Sequence, residues 1–307
     1  MILRQRTEMK VLISGASGMI GRQLATLLNT QHHTVQSLVR DPAKLGRGDV
    51  LWQSSAALDP AALADFDVVI HLAGKPVATL WTDKAKAEIR DSRVQGTANL
   101  ARAVATAFRR SGKPSALICS SAIGYYGNRG EEELVEESEP GLGFLADVCR
   151  GWEDAALPAA MAGVRVAHMR TSLVLSTRGG ALAKMLPAFR FGVAGKFGNG
   201  RQWWSWVTLE DTARAYLFAA SSDQAHGALN LATPNPVTNA EFTRTLGRVL
   251  HRPTLIPVPA FALRALAGQM AEEMLLSGQR IIPRRLLDAG FRFEDPELEP
   301  ALRKLLR

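Results

Sequence analysis

The sequence predicts an α/β fold, a doubly wound parallel sheet with a smaller, partly helical C-terminal lobe. Short, wholly apolar runs alternate with stretches of helical spacing, a glycine-rich turn joins the first run to the first helix, and the character of the chain changes beyond about residue 175. Val11-Leu12-Ile13 is the first run, and behind it Ile20, Leu24, Leu27 and Leu28 recur as on one face of a helix. Thr34–Val39 reads as a strand ending at Arg40-Asp41-Pro42. Val68–Leu72 is a third run without polar alternation, as expected of a strand covered on both faces. Ile89, Arg93, Thr97, Leu100, Val104 and Phe108 mark a long helix, and Ala116–Ser121 and Val164–Met169 are further strands.

Beyond that point Gly179-Gly180, Gly192, Gly195, Gly198 and Gly200 punctuate a loop-rich stretch. A helix over Leu209–Ala220 and a strand near Leu229-Asn230-Leu231 read as a return to the main sheet. Thr238 and Glu241 form a capping box for the next helix, and Pro253, Pro257 and Pro259 separate it from a final helical region. The division expected is residues 9–175, with 207–233 returning to them, and a second lobe from 176–206 and 234–307. No repeat or low-complexity tract interrupts it.

Hydrophobic content of 47% and charged content of 21% exclude a disordered chain. Met1–Lys10 is polar, without the apolar stretch of a signal peptide, and Met1–Glu8 reads as an upstream extension or a frayed tail. Val68–Leu72 is far too short to span a bilayer and carries His71, so a cytoplasmic chain with no membrane partner is expected. Cys119 and Cys149 lack the spacing of a disulfide framework or zinc site, and the six histidines form no ligand pattern, so no metal is expected. The net charge of +8 invites a nucleic-acid reading, but the basic residues are dispersed, with Arg109-Arg110 and Arg284-Arg285 as pairs rather than stripes. No nucleic-acid partner is expected; an anionic small molecule is the simpler use of the charge. Nothing in the sequence specifies an oligomeric state.

Gly15-Ala16-Ser17-Gly18-Met19-Ile20-Gly21 lies between the first strand and the first helix. Gly15 permits the tight turn, Gly18 lets backbone approach a pyrophosphate, and Gly21 lets helix and strand pack closely. Ser17, Met19 and Ile20 complete the phosphate-binding turn, where the helix N-terminus offers N–H groups and the positive end of its dipole. A dinucleotide cofactor is therefore expected. At the tip of the second strand Arg40 suits a 2′-phosphate, whereas Asp41 is either an acid for a ribose hydroxyl or the cap of the following turn. This favours NADP(H) over NAD(H). Lys44 reads as a solvated lysine.

The glycine spacing resembles the GxxGxxG turn of extended short-chain dehydrogenase/reductases, the group that includes nucleotide-sugar epimerases. His71-Leu72-Ala73-Gly74 and Ser120-Ser121-Ala122-Ile123-Gly124-Tyr125-Tyr126-Gly127 match further motifs of that family. Together with GNGRQWWSWV and the stretch Leu275–Phe293, they resemble an atypical "epimerase family" subgroup that ends in a domain of unknown function. The resemblance covers Met9–Arg307. It implies a Rossmann-type fold, with Leu72, Ala73 and Gly74 bordering adenine and ribose and with Ser120 and Arg93 near the cofactor; Arg93 stands where the family has an asparagine. It also implies a departure. On alignment of Glu153 with a family carboxylate, the YxxxK tyrosine and lysine fall on Leu145 and Cys149, neither of which does acid/base work. The family's serine falls on Ser121 or Ala122, according to which tyrosine anchors the alignment. Tyr125, Tyr126 and Ser121 are the catalytic candidates, with the two rings as pocket walls the alternative; Cys149 reads as core.

Gly200–Val207 holds three tryptophans. Arg201, Gln202, Trp203 and Trp206 suit a flat or sugar-like anionic substrate; stacking on single-stranded nucleic acid and plain lobe packing are the alternatives. Met270, Met274, Leu275 and Leu276 read as a packing face, and Lys184, Arg190 and Lys196 as substrate-attracting or merely solvated. The function implied is an NADP(H)-binding oxidoreductase or epimerase acting on a small hydroxyl or carbonyl compound, sugar-nucleotide-like in kind. The alternative is an NAD(P)(H)-binding sensor without turnover.

Overall fold

The computed structural model describes residues 8–307, so the N-terminal extension lies, apart from Glu8, outside the described residues. The chain begins with β1 (Lys10–Ser14), α1 (Met19–Thr30), β2 (Thr34–Val39), β3 (Val50–Leu51) and β4 (Val68–His71). The long α2 (Asp83–Ser111) leads to β5 (Ala116–Ala122), β6 (Glu133–Leu134), α3 (Phe144–Asp154), α4 (Leu157–Met161) and β7 (Arg165–Thr171). Then come β8 (Leu173–Leu175), α5 (Gly180–Arg190), β9 (Trp203–Trp204), β10 (Trp206–Thr208), α6 (Leu209–Ser221) and β11 (Gly227–Leu231). The remainder is β12 (Val237–Thr238), α7 (Asn239–Leu250), α8 (Ala260–Ala271), a π turn over Glu272–Leu276, β13 (Arg280–Ile281), α9 (Arg284–Asp288) and α10 (Leu298–Leu305).

Seven strands form one parallel sheet in the order β11-β7-β5-β4-β1-β2-β3. The winding reverses between β1 and β4, which leaves a crevice beyond their carboxyl ends, the usual ligand position in such sheets. The apolar runs are continuous because both faces are covered. Val11, Ile13, Val68 and Ile70 pack with Leu24 and Leu28 of α1 and Tyr216 and Ala219 of α6. Leu12, Val69 and Leu117 point the other way, into a core with Leu100 and Val104 of α2. The strand near Leu229 does return to the main sheet, pairing in parallel with β7. Two details differ from the sequence reading: β3, a two-residue edge strand, carries no periodicity to detect, and β7 runs past Met169 through Arg170 and Thr171.

A second core lies apart from the sheet, where Leu182, Leu186 and Phe189 of α5 meet Trp204, Trp206, Phe242, Leu246 and Leu302. Thr238 caps α7, its hydroxyl accepting from the Glu241 N–H at 3.2 Å. On the sheet side, the Arg165 guanidinium closes the end of α6, donating to the carbonyls of Ala219, Ala220 and Ala225 at 2.7, 3.0 and 2.7 Å. A cation there meets the negative end of the helix dipole. Arg165→Met is expected to destabilise the fold by roughly 2–4 kcal/mol, since three carbonyls lose a charged donor; the midpoint of urea unfolding measures it.

Candidate functional site

The glycine turn has the geometry its spacing predicts. Gly15 has φ +74°, and a Cβ there would lie 2.9 Å from the backbone of Leu72 and Ala73. A Cβ on Gly21 would fall 2.3 Å from the Gly15 carbonyl oxygen, so this glycine sets how closely α1 approaches the turn. Gly18 differs: a Cβ there would meet only the Gly15 oxygen, at 3.2 Å, and otherwise project into open space before the α1 N-terminus. That space is a cradle for an anion. Ser17 is exposed, Met19 and Ile20 are half-buried, and the Met19 thioether lies against Gly179 and Gly180 at the start of α5.

One pair behind the turn went unread in the sequence. Ser14 Oγ accepts from the N–H groups of Leu72 and Ala73 at 3.2 and 3.3 Å, so its own proton goes to His71 Nδ1, 2.6 Å away. This places the imidazole proton on Nε2 and ties β1 to the Leu72-Ala73-Gly74 strip. His71 is fully enclosed, and burial, then Arg93, pushes its pKa from the usual 6.5 down to about 4. Arg93 itself lies under Gly74, its guanidinium donating to the carbonyls of Lys75 and Ile89 at 2.9 and 3.1 Å and stacked 4.9 Å from the Trp152 ring centroid. It is a floor beneath the strip.

At the tip of β2, Asp41 spends its carboxylate on capping the next turn, accepting from the Ala43 N–H at 3.1 Å, and lies 3.7 Å from Lys44. Arg40 beside it is exposed and takes part in no ion pair among the described residues.

Beyond β5 a buried network binds the catalytic candidates. Ser121 Oγ donates to Glu153 Oε1 at 2.6 Å, and Glu153 receives both arms of Arg170, from Nε at 2.9 and Nη2 at 2.8 Å. Arg170 Nη1 donates to the Tyr126 hydroxyl at 2.8 Å, which in turn donates to Asn230 Oδ1 at 2.7 Å. The Asn230 N–H donates to Glu136 at 3.0 Å. Burial pushes the Tyr126 phenol up to about 12, despite the cation beside it. Two candidates are thereby corrected. Tyr126 is a sealed strut with both hydroxyl functions engaged, and Ser121 has given its only proton to a carboxylate and cannot polarise a substrate oxygen. Tyr125 remains half-buried, its ring 3.5 Å from the Arg170 guanidinium. Ser120 is bonded to the Tyr216 hydroxyl at 2.7 Å.

The tryptophan stretch is chiefly packing. Trp206 is fully buried in the second core and not free for substrate, and Gln202 spends both hydrogens of its amide nitrogen on the carbonyls of Phe197 and Leu275, at 3.1 and 3.0 Å. Trp203 is half-buried, donates to Glu131 at 2.6 Å and carries Arg280 on its face; Arg201 is exposed. The C-terminal segment supplies what the sequence reading missed. A cleft of about 190 Å³ opens between Gly124, Gly127 and Leu145 on one side and Glu272, Glu273 and Gln279 on the other. Glu273 caps α3, accepting from the N–H groups of Phe144 and Leu145 at 3.0 and 2.8 Å.

Residues 11–232 match the model of the NAD-dependent epimerase/dehydratase family, and residues 258–305 match a domain of unknown function, DUF1731. The chain belongs to that family. An epimerase family protein of Mycobacterium leprae, ML0860, is 44% identical over 95% of this chain and 94% of its own. The crystal structure of human epimerase family protein SDR39U1 with NADPH superposes with a TM-score of 0.87, at 33% identity over 97% of this chain and 99% of that one. A nucleoside-diphosphate sugar epimerase from Corynebacterium glutamicum gives 0.82 at 36% identity, over 97% of this chain and 58% of that one. The chain is an atypical member of the short-chain dehydrogenase/reductase group.

The atypical feature has a structural form. Leu145 lies against Gly124, where a Cβ would come within 3.1 Å of it, and Cys149 is enclosed, its thiol pushed up to about 12 by burial and by Glu153. At these two positions the epimerase-family chain has apolar contact and an inert thiol.

The depressed His71 pKa carries a pH signature. The unfolded chain takes up this proton near pH 6.5 and the folded one only near 4, so the stabilisation is full above 6.5 and is lost as pH falls through that window. Between about pH 7 and about pH 5 the loss should be about 2 kcal/mol. His71→Asn, which keeps an acceptor for Ser14, should lack this part of the decline when urea unfolding is compared at the two pH values.

Proposed function

We propose that the protein binds NADP(H) in the crevice between β1 and β4 and uses it in oxidoreductase or epimerase chemistry on a small hydroxyl- or carbonyl-bearing compound of the nucleotide-sugar kind. The observation that carries the cofactor reading is the tip of β2, where Asp41 is consumed as a cap while Arg40 stands exposed and unpaired among the described residues. The 33%-identical human relative crystallised with NADPH supports it. Gly18 and the first N–H groups of α1 would hold the pyrophosphate, Arg40 the 2′-phosphate, and Leu72–Gly74 the adenosine side. The nicotinamide supplies the hydride donor or acceptor when bound. Tyr125, between the two cleft glycines Gly124 and Gly127, is the group proposed to hold or release the accompanying proton, with Arg170 fixing its ring. Trp203 and Arg201, at the rim of the tryptophan stretch, are the proposed substrate contacts.

A second reading, cofactor sensing without turnover, is favoured by one observation: Leu145 is in apolar contact and the Cys149 thiol is inert, at the positions where the family resemblance implies an acid/base pair. Two measurements separate the readings and test the residues. Calorimetric titration should show NADPH binding tighter than NADH, with most of the difference lost in Arg40→Ala; equal affinities would remove the NADP assignment. A carbonyl and nucleotide-sugar screen following NADPH absorbance should find turnover that Tyr125→Phe lowers by roughly 10²–10⁴-fold at unchanged cofactor affinity. Tyr126→Phe should instead cost about 1–3 kcal/mol of stability. A partner protein whose binding follows the cofactor's redox state, with no turnover on any substrate, would decide for the sensor.

A further inference from the structure

The fold collects charge that the sequence scatters. No Asp or Glu occurs between Asp154 and Glu210, nor between Glu241 and Glu272, and these two acid-free stretches lie against each other in the second lobe. Arg252 donates to the Arg190 carbonyl at 2.8 Å, a Cβ on Gly192 would touch Pro253, and Phe197 bridges Val258. The two adjoining turns expose large apolar side chains to water: Phe191 is 82% and Leu255 84% exposed, with Val193 at 55% and Ile256 at 56%. Arg190 adjoins Phe191, Lys184 is exposed two helical turns earlier on α5, and Lys196, whose carbonyl accepts from the Val258 N–H at 2.9 Å, is exposed just beyond. None of the three takes part in an ion pair among the described residues.

We propose that this surface docks the protein onto an anionic phospholipid bilayer. Apolar tips with exposed, unpaired cations beside them match a membrane interface, where the tips enter the acyl boundary and the cations meet headgroup phosphates. No helix among the described residues is long and apolar enough to cross a membrane, so the contact is peripheral. A second copy of the chain is a poor occupant, because a two-fold interface would set the same unpaired cations against one another. Nucleic acid would satisfy the cations, yet of the four apolar tips only Phe191 offers a plane for stacking a base, and Leu255, Ile256 and Val193 would stay unmatched. α5 runs roughly 16 Å from Gly180, beside the glycine turn, to the patch, so docking leaves the cofactor crevice clear.

The test is co-sedimentation of the full chain with vesicles of phosphatidylcholine alone and of phosphatidylcholine mixed with phosphatidylglycerol. Binding to the anionic vesicles only, weakened by salt, is expected. Phe191→Ser with Leu255→Ser should lower it roughly tenfold or more, and Lys184→Gln and Lys196→Gln about fivefold each. All these side chains are exposed, so the variants should keep the wild-type unfolding midpoint. The charge variants still decide the matter if the apolar pair fails to fold. The proposal is overturned by absence of binding to anionic vesicles, by equal binding to neutral ones, or by variants that bind like the wild type. Concentration-dependent dimerisation abolished by Phe191→Ser and Leu255→Ser, without vesicle binding, would reassign the patch to self-association.

Discussion

The guanidinium of Arg170 projects from β7 into a nearly dry space, and Glu153 answers it from α3 with two parallel hydrogen bonds. Such a pair gains little over a well-packed apolar alternative, but loss of either partner strands a buried charge at a cost of about 3–5 kcal/mol. Everything near it is consequently fixed. Ser121 on β5, Tyr126 in the turn after β5, Asn230 on β11 and the carbonyl of Glu136 all hang on the same two groups. The Tyr125 ring lies on the guanidinium, so the one tyrosine left near the cleft is held by an interaction beneath it. The cation that holds this ring comes from the sheet, on β7.

The centre of the sheet was legible because β1 and β4 are covered on both faces and their buried residues run on without polar alternation. The glycine turn was legible because Gly15 and Gly21 stand where any Cβ would strike backbone. The network was not. Tyr125 and Tyr126 are neighbours of identical chemistry, and only the turn's geometry sends one ring inward and leaves the other half-exposed. A signal did exist in Val166-Ala167-His168-Met169-Arg170-Thr171, since an arginine at the end of a doubly covered strand requires a buried acid. Composition misled at the tryptophans for a related reason. Indole rings serve packing and ligand stacking equally well, and what decides is the surrounding volume, which Leu182, Phe242 and Leu302 fill around Trp206.

The C-terminal segment is woven into the site more tightly than its match to a separate domain suggests. β13 pairs with β6, and a Cβ on Gly278 would lie 2.6 Å from the Trp203 nitrogen. Glu273 occupies the N-terminus of α3, the helix that carries Leu145 and Cys149. A carboxylate there satisfies two orphan N–H groups and meets the positive end of the helix dipole. The segment thus supplies one wall of the cleft and also fixes the helix forming the other.

Charge shows the limit of counting along the chain. A surplus of +8 with basic residues spread through the sequence reads as a generally solvated surface. What matters for a partner is the field left after each cation has met its own acid, and that depends on which segments the fold brings together. Arg165 closes a helix, Arg170 is neutralised, and Arg248 is paired with Glu299. Among the cations without an ion pair in the described residues, Arg40 at the tip of β2 and Lys184, Arg190 and Lys196 on and beyond α5 have opposite surroundings. Arg40 stands exposed beside a carboxylate already spent as a cap, which favours a small anion; Lys184, Arg190 and Lys196 share a surface with protruding apolar side chains, which favours an extended one. The same surplus therefore serves two kinds of ligand, and the neighbours of each cation, rather than the total, distinguish them.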